Sequence, residues 1–103
     1  MFERVAKRMA EMVRANDFVL TRHAKKEMDE DCLTSLDVER GVLTGRIVAR
    51  QTDRATGERK YLLKGRTIED DDVFLVAKLS PIRKLVIITV YLVCQAEENR
   101  DAL

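Results

Sequence analysis

The feature that most constrains the fold is the apolar run Leu85–Val93, LVIITVYLV. It is rich in β-branched residues, and its length suits a buried strand. A membrane-spanning helix needs about 20 apolar residues in a row, and no segment of the chain is that long and apolar. The charges scattered through the first residues also argue against a signal peptide. We therefore predict a small soluble domain built around this strand.

Histidine and cysteine are too few for metal chemistry. The chain of 103 residues has one histidine and two cysteines, whereas a zinc site takes about four such ligands. We expect neither a metal nor a cofactor. Cys32 and Cys94 are far apart in the chain and nothing favours a disulfide between them, so a reducing cytoplasm is the expected compartment.

Helical patterns fill the first part of the chain. Apolar residues recur at helical spacing at Phe2, Val5, Met9, Met12 and Val13, which predicts an amphipathic first helix. Thr21 is a suitable N-cap for a second helix over Arg22–Asp31. Thr34 and Asp37 have the spacing of a capping box, which begins a third helix that ends at Gly45.

After Gly45 the pattern alternates with the period of β-strands. The predicted strands are Arg46–Gln51, Lys60–Ile68, Val73–Leu79 and Leu85–Val93. Short polar turns separate them, which favours an antiparallel meander. The predicted fold class is α+β, with N-terminal helices packed on one face of a four-stranded antiparallel sheet. Residues 1–93 would form one domain, and residues 94–103 a frayed tail.

Strict alternation along the last strand assigns its two sides. One side is wholly aliphatic and is expected to meet the helices; it holds Val86, Ile88, Val90 and Leu92. The other side would hold Leu85, Ile87, Thr89, Tyr91 and Val93. A hydroxyl and a phenol interrupt the apolar row on this second side, so function is expected there.

A basic segment is hidden in a nearly neutral chain. The net charge is +1, but positions 46–66 hold seven basic residues against Asp53 and Glu58, a balance of +5. Alternation would place many of the cations on the open side of the sheet: Arg46, Arg50, Lys60, Lys64 and Arg66. With Thr89 and Tyr91 they would form a surface suited to a phosphodiester. Basic residues also simply solvate an exposed sheet face, and both interpretations are open.

His23 is the second candidate for chemistry. It would lie in the first turn of the second helix, beside Arg22, Lys25 and Lys26. The helix N-terminus and these cations favour a neutral imidazole, which can accept a proton. Alternatively, His23 hydrogen-bonds a backbone carbonyl and has a purely structural role.

Several segments, taken in order, carry a family resemblance: FVLTRHAKKEMDEDCLT, GRIVAR, KYLLKGR and KLVIITVY. They resemble a bacterial domain family with a T-x-H-A-x-x-x-M start and a V-I-T-V-Y end. That family is distantly similar to the RelE, ParE and BrnT toxins, which have the barnase–colicin–RelE-like fold. The resemblance implies N-terminal helices on a four-stranded sheet. It also implies RNA cleavage without a metal, although ParE-like relatives act on a topoisomerase.

The positions that match the family are His23, Lys60, Tyr61, Gly65, Thr89 and Tyr91. Two departures stand out. Cys32 occupies a loop position where relatives often have a glycine suited to positive φ. The second helix offers lysines where many relatives have an arginine, which weakens a bidentate phosphate clamp there.

The sequence supports two hypotheses for the function. The first is a metal-independent endoribonuclease of the toxin type, in which a 2′-hydroxyl attacks the adjacent phosphorus of single-stranded RNA. His23 or Tyr91 would move protons, and Lys60 would act with Arg46, Lys64 and Arg66 on the developing charge. Arg50 and Thr89 would complete the RNA-binding surface.

The alternative is a non-catalytic interaction domain. It would bind an acidic, antitoxin-like protein partner, or would self-associate through its first helix. Fold similarity alone does not decide between the two.

Overall fold

The computed structural model describes residues 2–93. The elements in chain order are α1 (Glu3–Arg14), β1 (Phe18–Leu20), α2 (Arg22–Glu30), α3 (Ser35–Thr44), β2 (Arg46–Thr52), β3 (Arg59–Arg66), β4 (Asp72–Leu79) and β5 (Leu85–Leu92). Each predicted helix and strand is present, with ends shifted by two residues at most. Cys94 and the predicted tail lie outside the described residues.

The strands form one mixed sheet in the order β1-β5-β4-β3-β2. From β2 to β5 the neighbours are antiparallel, as predicted. The additional strand, β1, pairs in parallel with the start of β5, with Phe18 opposite Leu85. The prediction of an α+β fold is therefore confirmed. The prediction of four strands is wrong, because an isolated three-residue segment carries no alternation from which to infer its pairing.

Local capping explains where two of the helices begin. The Thr21 side chain accepts a hydrogen bond from the Ala24 N–H, at 3.1 Å. Thr34 and Asp37 form the predicted capping box, in which the Asp37 carboxylate accepts from the Thr34 N–H at 2.9 Å. Such caps satisfy backbone N–H groups that the first helical turn leaves unpaired.

The helices cover one face of the sheet. Their buried side chains, among them Met9, Val13, Ala24, Met28, Val38 and Val42, meet Leu63, Leu75 and Ile87 from the strands. The backbones of α3 and β3 come very close: a Cβ built on Gly65 would lie 2.0 Å from the Gly41 carbonyl oxygen. Only a glycine fits there, which gives the family-matching Gly65 a structural role. Leu36 of α3 points away from this core and is 60% exposed.

A β-bulge in β5 changes which of its residues face the helices. Val76 is opposite Thr89, whereas the next residue of β4, Ala77, is opposite Ile87. Ile88 is therefore an extra residue, and the alternation shifts by one across it. Leu85 and Ile87 are fully buried, as is Val90. Assigning Leu85 and Ile87 to the open side was wrong, and so was assigning Val86 to the helix side, since it lies between them and opposite Lys78. The assignments of Val90 and Tyr91 to opposite sides are confirmed.

Candidate nucleic-acid interface

The sheet face opposite the helices carries one row of side chains that crosses four strands. Arg46 is opposite Lys64, Lys64 is opposite Phe74, and Phe74 is opposite Tyr91. The residues that flank this row along β3, β4 and β5, such as Gly65, Leu75 and Val90, are buried toward the helices. Successive strand residues point to opposite faces, so this cross-strand row lies on the open face.

Two aromatic rings form the centre and one end of the cross-strand row. The Phe74 and Tyr91 rings stack, with centroids 5.3 Å apart and an interplanar angle of 18°. Tyr91 is 40% exposed. The Lys64 Nζ lies 5.9 Å from the Phe74 ring centroid, within cation–π range. Phe74 was not among the predicted site residues, although strict alternation along its strand places it on the same side as Lys78.

The other end of the cross-strand row is basic. Within residues 2–93, no carboxylate lies within ion-pair distance of Arg46 or Lys64. Like charges directly opposite each other on neighbouring strands destabilise the pair. A bound anion would relieve that repulsion.

A shallow cavity of about 270 Å³ lies at this basic end, lined by Thr44, Arg46, Lys64, Gly65, Arg66 and Asp72. Arg66 is partly neutralised, since its guanidinium lies 3.3 Å from the Asp70 carboxylate and 4.0 Å from that of Asp72. Arg46 and Lys64 are therefore the cations available to a ligand in this cavity.

A second row of the open face is nearly apolar. It runs from Ala49 through Leu62 and Val76 to Thr89. Lys60 lies beyond it, four residues along β3 from Lys64, which at the rise of a strand is about 13 Å. Lys60 and Lys64 thus share the open face, but they lie at separate places on it.

Arg50 is not on the open face. A bulge at Val48, between the pairs Ile47–Leu63 and Ala49–Leu62, shifts the alternation of β2. Arg50 is consequently opposite the buried Tyr61, and its guanidinium lies 5.8 Å from the centroid of the Phe2 ring on the helix side. Placing Arg50 on the same side as Arg46 was wrong, because strict alternation does not hold across a bulge.

His23 lies on α2, with 64% of its side chain exposed. Its Nε2 is 3.3 Å from Oε1 of Glu27, and that same oxygen accepts a hydrogen bond from the Val90 N–H at 3.1 Å. His23 therefore lies along the outer edge of β5. Among the contacts of residues 2–93, none joins His23 to the cross-strand row. The structure brings together Arg46, Lys64 and Tyr91 of the predicted site and leaves His23 at its margin.

The structure also shows where Tyr61, Cys32 and the apolar side of α1 lie. Tyr61, which matches the family motif, is buried and packs edge-on against Phe2, with ring centroids 6.1 Å apart. Cys32 is exposed and has a φ of 57°, so this cysteine does occupy a backbone conformation suited to glycine. The apolar side of α1 is used inside the fold through Met9 and Val13.

The described residues offer no metal centre and no membrane span. No group of three or more His, Cys, Asp or Glu side chains in this part of the chain could hold a metal ion. None of its helices is long and apolar enough to cross a bilayer.

Comparison with known proteins places most of the chain in one family. The model of a family described as a domain of unknown function, DUF4258, matches residues 20–92. The matched region runs from the end of β1 to the end of β5, so it contains the whole cross-strand row. No curated protein and no solved structure matches the chain.

Proposed function

We propose that this chain, which belongs to the DUF4258 family, binds single-stranded RNA on its open sheet face and cleaves it without a metal. The observation that carries the proposal is the cross-strand row Arg46–Lys64–Phe74–Tyr91. It combines two cations that have no carboxylate at ion-pair distance among residues 2–93 with a half-exposed aromatic stack. Proteins that bind single strands use this combination of backbone-neutralising cations and base-stacking rings.

Each part of the row suits a different part of the ligand. The exposed Tyr91 ring, supported from beneath by Phe74, offers a surface on which an unpaired base can stack. Arg46 and Lys64 would hold phosphates at the other end of the row. Neighbouring strands are about 4.8 Å apart, so Tyr91 and Lys64 are separated by two strand spacings. That separation suits a base and a nearby phosphate of one strand of RNA.

The proposed reaction needs only side chains of the cross-strand row and solvent water. The 2′-hydroxyl attacks the adjacent phosphorus, a new P–O bond forms, and the bond to the 5′-oxygen of the next nucleotide breaks. The products are a cyclic phosphate and a 5′-hydroxyl. Arg46 and Lys64 would stabilise the charge that develops on the phosphoryl oxygens. The proton of the 2′-hydroxyl would pass to solvent water, and the Tyr91 hydroxyl would donate a proton to the departing 5′-oxygen. His23 would act only on RNA that extends over the edge of β5.

The decisive experiment is an assay of single-stranded RNA with the purified protein in the presence of a chelator. We expect cleavage fragments that end in a cyclic phosphate. Binding should weaken as salt rises, because phosphate contacts release counterions. Tyr91→Ala should reduce both binding and cleavage, whereas Tyr91→Phe keeps the ring and should reduce cleavage alone.

Matched variants separate the roles of the cations. Lys64→Gln should weaken RNA binding, while Lys25→Gln removes a positive charge from the exposed side of α2 and should not. His23→Ala tests whether the margin of the site takes part in cleavage. Intact RNA after incubation with the folded wild-type protein would reject the nuclease, and unchanged binding by Tyr91→Ala would reject the open face as the RNA site.

A further inference from the structure

The outer edge of β5 is closed within the chain. β1 pairs with the start of β5, and side chains of α2 and of its two capping residues hydrogen-bond to the backbone of the remainder. The Thr21 hydroxyl donates to the Ile88 carbonyl at 3.1 Å, Glu27 accepts from the Val90 N–H at 3.1 Å, and Asp31 accepts from the Leu92 N–H at 3.1 Å. Backbone groups on this edge are thus satisfied within the chain.

The opposite edge of the sheet is β2, and among residues 2–93 no strand pairs with its outer side. β2 pairs with β3 on one side only. The Asp53 N–H donates to the Glu58 carbonyl, so the backbone of Asp53 points toward β3. Backbone direction alternates along an antiparallel strand. The N–H and C=O groups of Thr52 and Arg50 therefore point away from the sheet.

The pairing of β3 with β4 gives the same result independently. The Thr67 N–H donates to the Asp71 carbonyl, so the odd-numbered residues of β3, such as Tyr61, direct their backbone toward β4. Arg50 is opposite Tyr61 and cannot hydrogen-bond to it through the backbone. None of the side-chain or turn hydrogen bonds among residues 2–93 reaches the backbone of Arg50 or Thr52. An edge with alternating free donors and acceptors is complementary to an added polypeptide strand.

The positive charge along β2 favours an added strand with acidic side chains. Arg46 and Arg50 lie on opposite faces of β2, and Arg54 follows in the turn. Within the described residues, none of the three has a carboxylate at ion-pair distance. A strand laid beside β2 would therefore meet unpaired positive charge on both of its faces. A second copy of this chain would bring the same positive edge, and like charges on paired strands repel.

We propose that the outer edge of β2 binds an extended acidic segment of a partner protein by strand addition. The free backbone groups of Arg50 and Thr52 would supply the hydrogen bonds, and Arg46 and Arg50 the preference for acidic side chains. Val48, which is 42% exposed at the bulge, would supply an apolar contact. Of the residues in this site, only Arg46 also belongs to the cross-strand row, so variants at Arg50 test this proposal without altering the RNA surface.

The test uses two capped peptides of the length of β2. One alternates glutamate with valine and threonine, and the other has lysine in place of each glutamate. Titration into isotope-labelled protein should shift the amide resonances of residues 48–53 with the acidic peptide only. Amide exchange at Arg50 and Thr52 should slow, because an added strand would bond those N–H groups.

Backbone and charge variants make the test specific. Arg50→Pro removes an outward N–H without touching the β2–β3 ladder, and it should weaken binding of the acidic peptide by about tenfold. Arg50→Glu keeps the backbone and should shift the preference toward the lysine peptide, so the proposal stays testable if the proline variant does not fold. Tyr91→Ala is the control, and it should bind the acidic peptide as the wild type does.

Three results would overturn the proposal. One is equal binding of the two peptides. Another is movement of the Lys64, Phe74 and Tyr91 resonances in place of those of β2. The third is a dimer of this chain with protected β2 amides, which would make a second copy the occupant.

Discussion

The two faces of the sheet are built from the same strands but differ in packing and in chemical character. The covered face is aliphatic and closely packed, with Leu63, Leu75 and Ile87 at most 1% exposed. The open face holds a row of cations and stacked aromatic rings that no other described element covers. Stability therefore depends chiefly on the covered face, and under the proposed function RNA recognition depends on the open face. This division predicts that substitutions on the two faces have separable effects.

The largest effect on stability is expected from Leu75→Ala. Leu75 is fully buried in the centre of the sheet, and such a truncation costs about 3 kcal/mol because it leaves a cavity. Leu62→Ala on the open face is the matched control, and it should cost about 1 kcal/mol. Urea unfolding measures both. Equal losses would mean that the two faces contribute equally to stability.

The next largest loss of stability is expected from Gly65→Ala. The new methyl group would lie 2.0 Å from the Gly41 carbonyl oxygen, so α3 must move away from β3, at a cost of about 2 kcal/mol. Gly57 is a useful comparison, because a Cβ added there would meet nothing within 4 Å, although its φ is +73°. Gly57→Ala should cost about 1 kcal/mol from backbone strain alone. A smaller loss of stability in Gly65→Ala than in Gly57→Ala would show that the close helix–strand contact is not limiting.

Asp37 should make the covered side sensitive to pH. Burial opposes ionisation of its carboxyl group, but hydrogen bonds from the N–H groups of Thr34 and Ile68 and from the Thr34 hydroxyl lower its pKa below the ordinary value. A carboxyl with a lowered folded-state pKa stabilises the fold above its unfolded pKa, and this stabilisation is lost as pH falls through the folded one.

We therefore expect Asp37→Asn to cost about 1 kcal/mol at neutral pH and less in acid, where the wild type has lost the same interactions. Thermal unfolding over a pH series measures the difference. Asp29→Asn on the exposed side of α2 is the control. A cost that did not change with pH would contradict the role of the ionised carboxylate.

A small effect on stability is also expected from Tyr91→Ala. Tyr91 is 40% exposed and stacks on Phe74, so its loss should cost about 1 kcal/mol. RNA affinity should nevertheless fall about tenfold or more, because stacking of one base is worth about 1–3 kcal/mol. Unfolding and RNA binding should both be measured on this variant, since together they separate the roles of the two faces. A large loss of stability with unchanged RNA binding would reverse the assignment.

Sequence patterns were sufficient to predict the helices, the long strands and the helix caps. The Thr34–Asp37 capping box and the Thr21 cap are formed by residues close together in the chain, so the spacing of the side chains was enough to identify them. The alternation also placed Tyr91 and Val90 on opposite sides of β5. Of the candidate site, Arg46, Lys64 and Tyr91 were placed together on this basis.

The details of the site depend on contacts between distant segments, which no local pattern reveals. The bulges at Ile88 and Val48 moved Leu85, Ile87 and Arg50 to the covered face. Contacts between distant segments also decide three other features: the pairing of β1 with β5, the stack of Phe74 on Tyr91, and the position of His23 at the sheet edge. A strand alternates with a period of two, so one extra residue reverses the orientation of the residues beyond it. Whether that residue is accommodated depends on the register of the partner strand, which is fixed only when the sheet assembles.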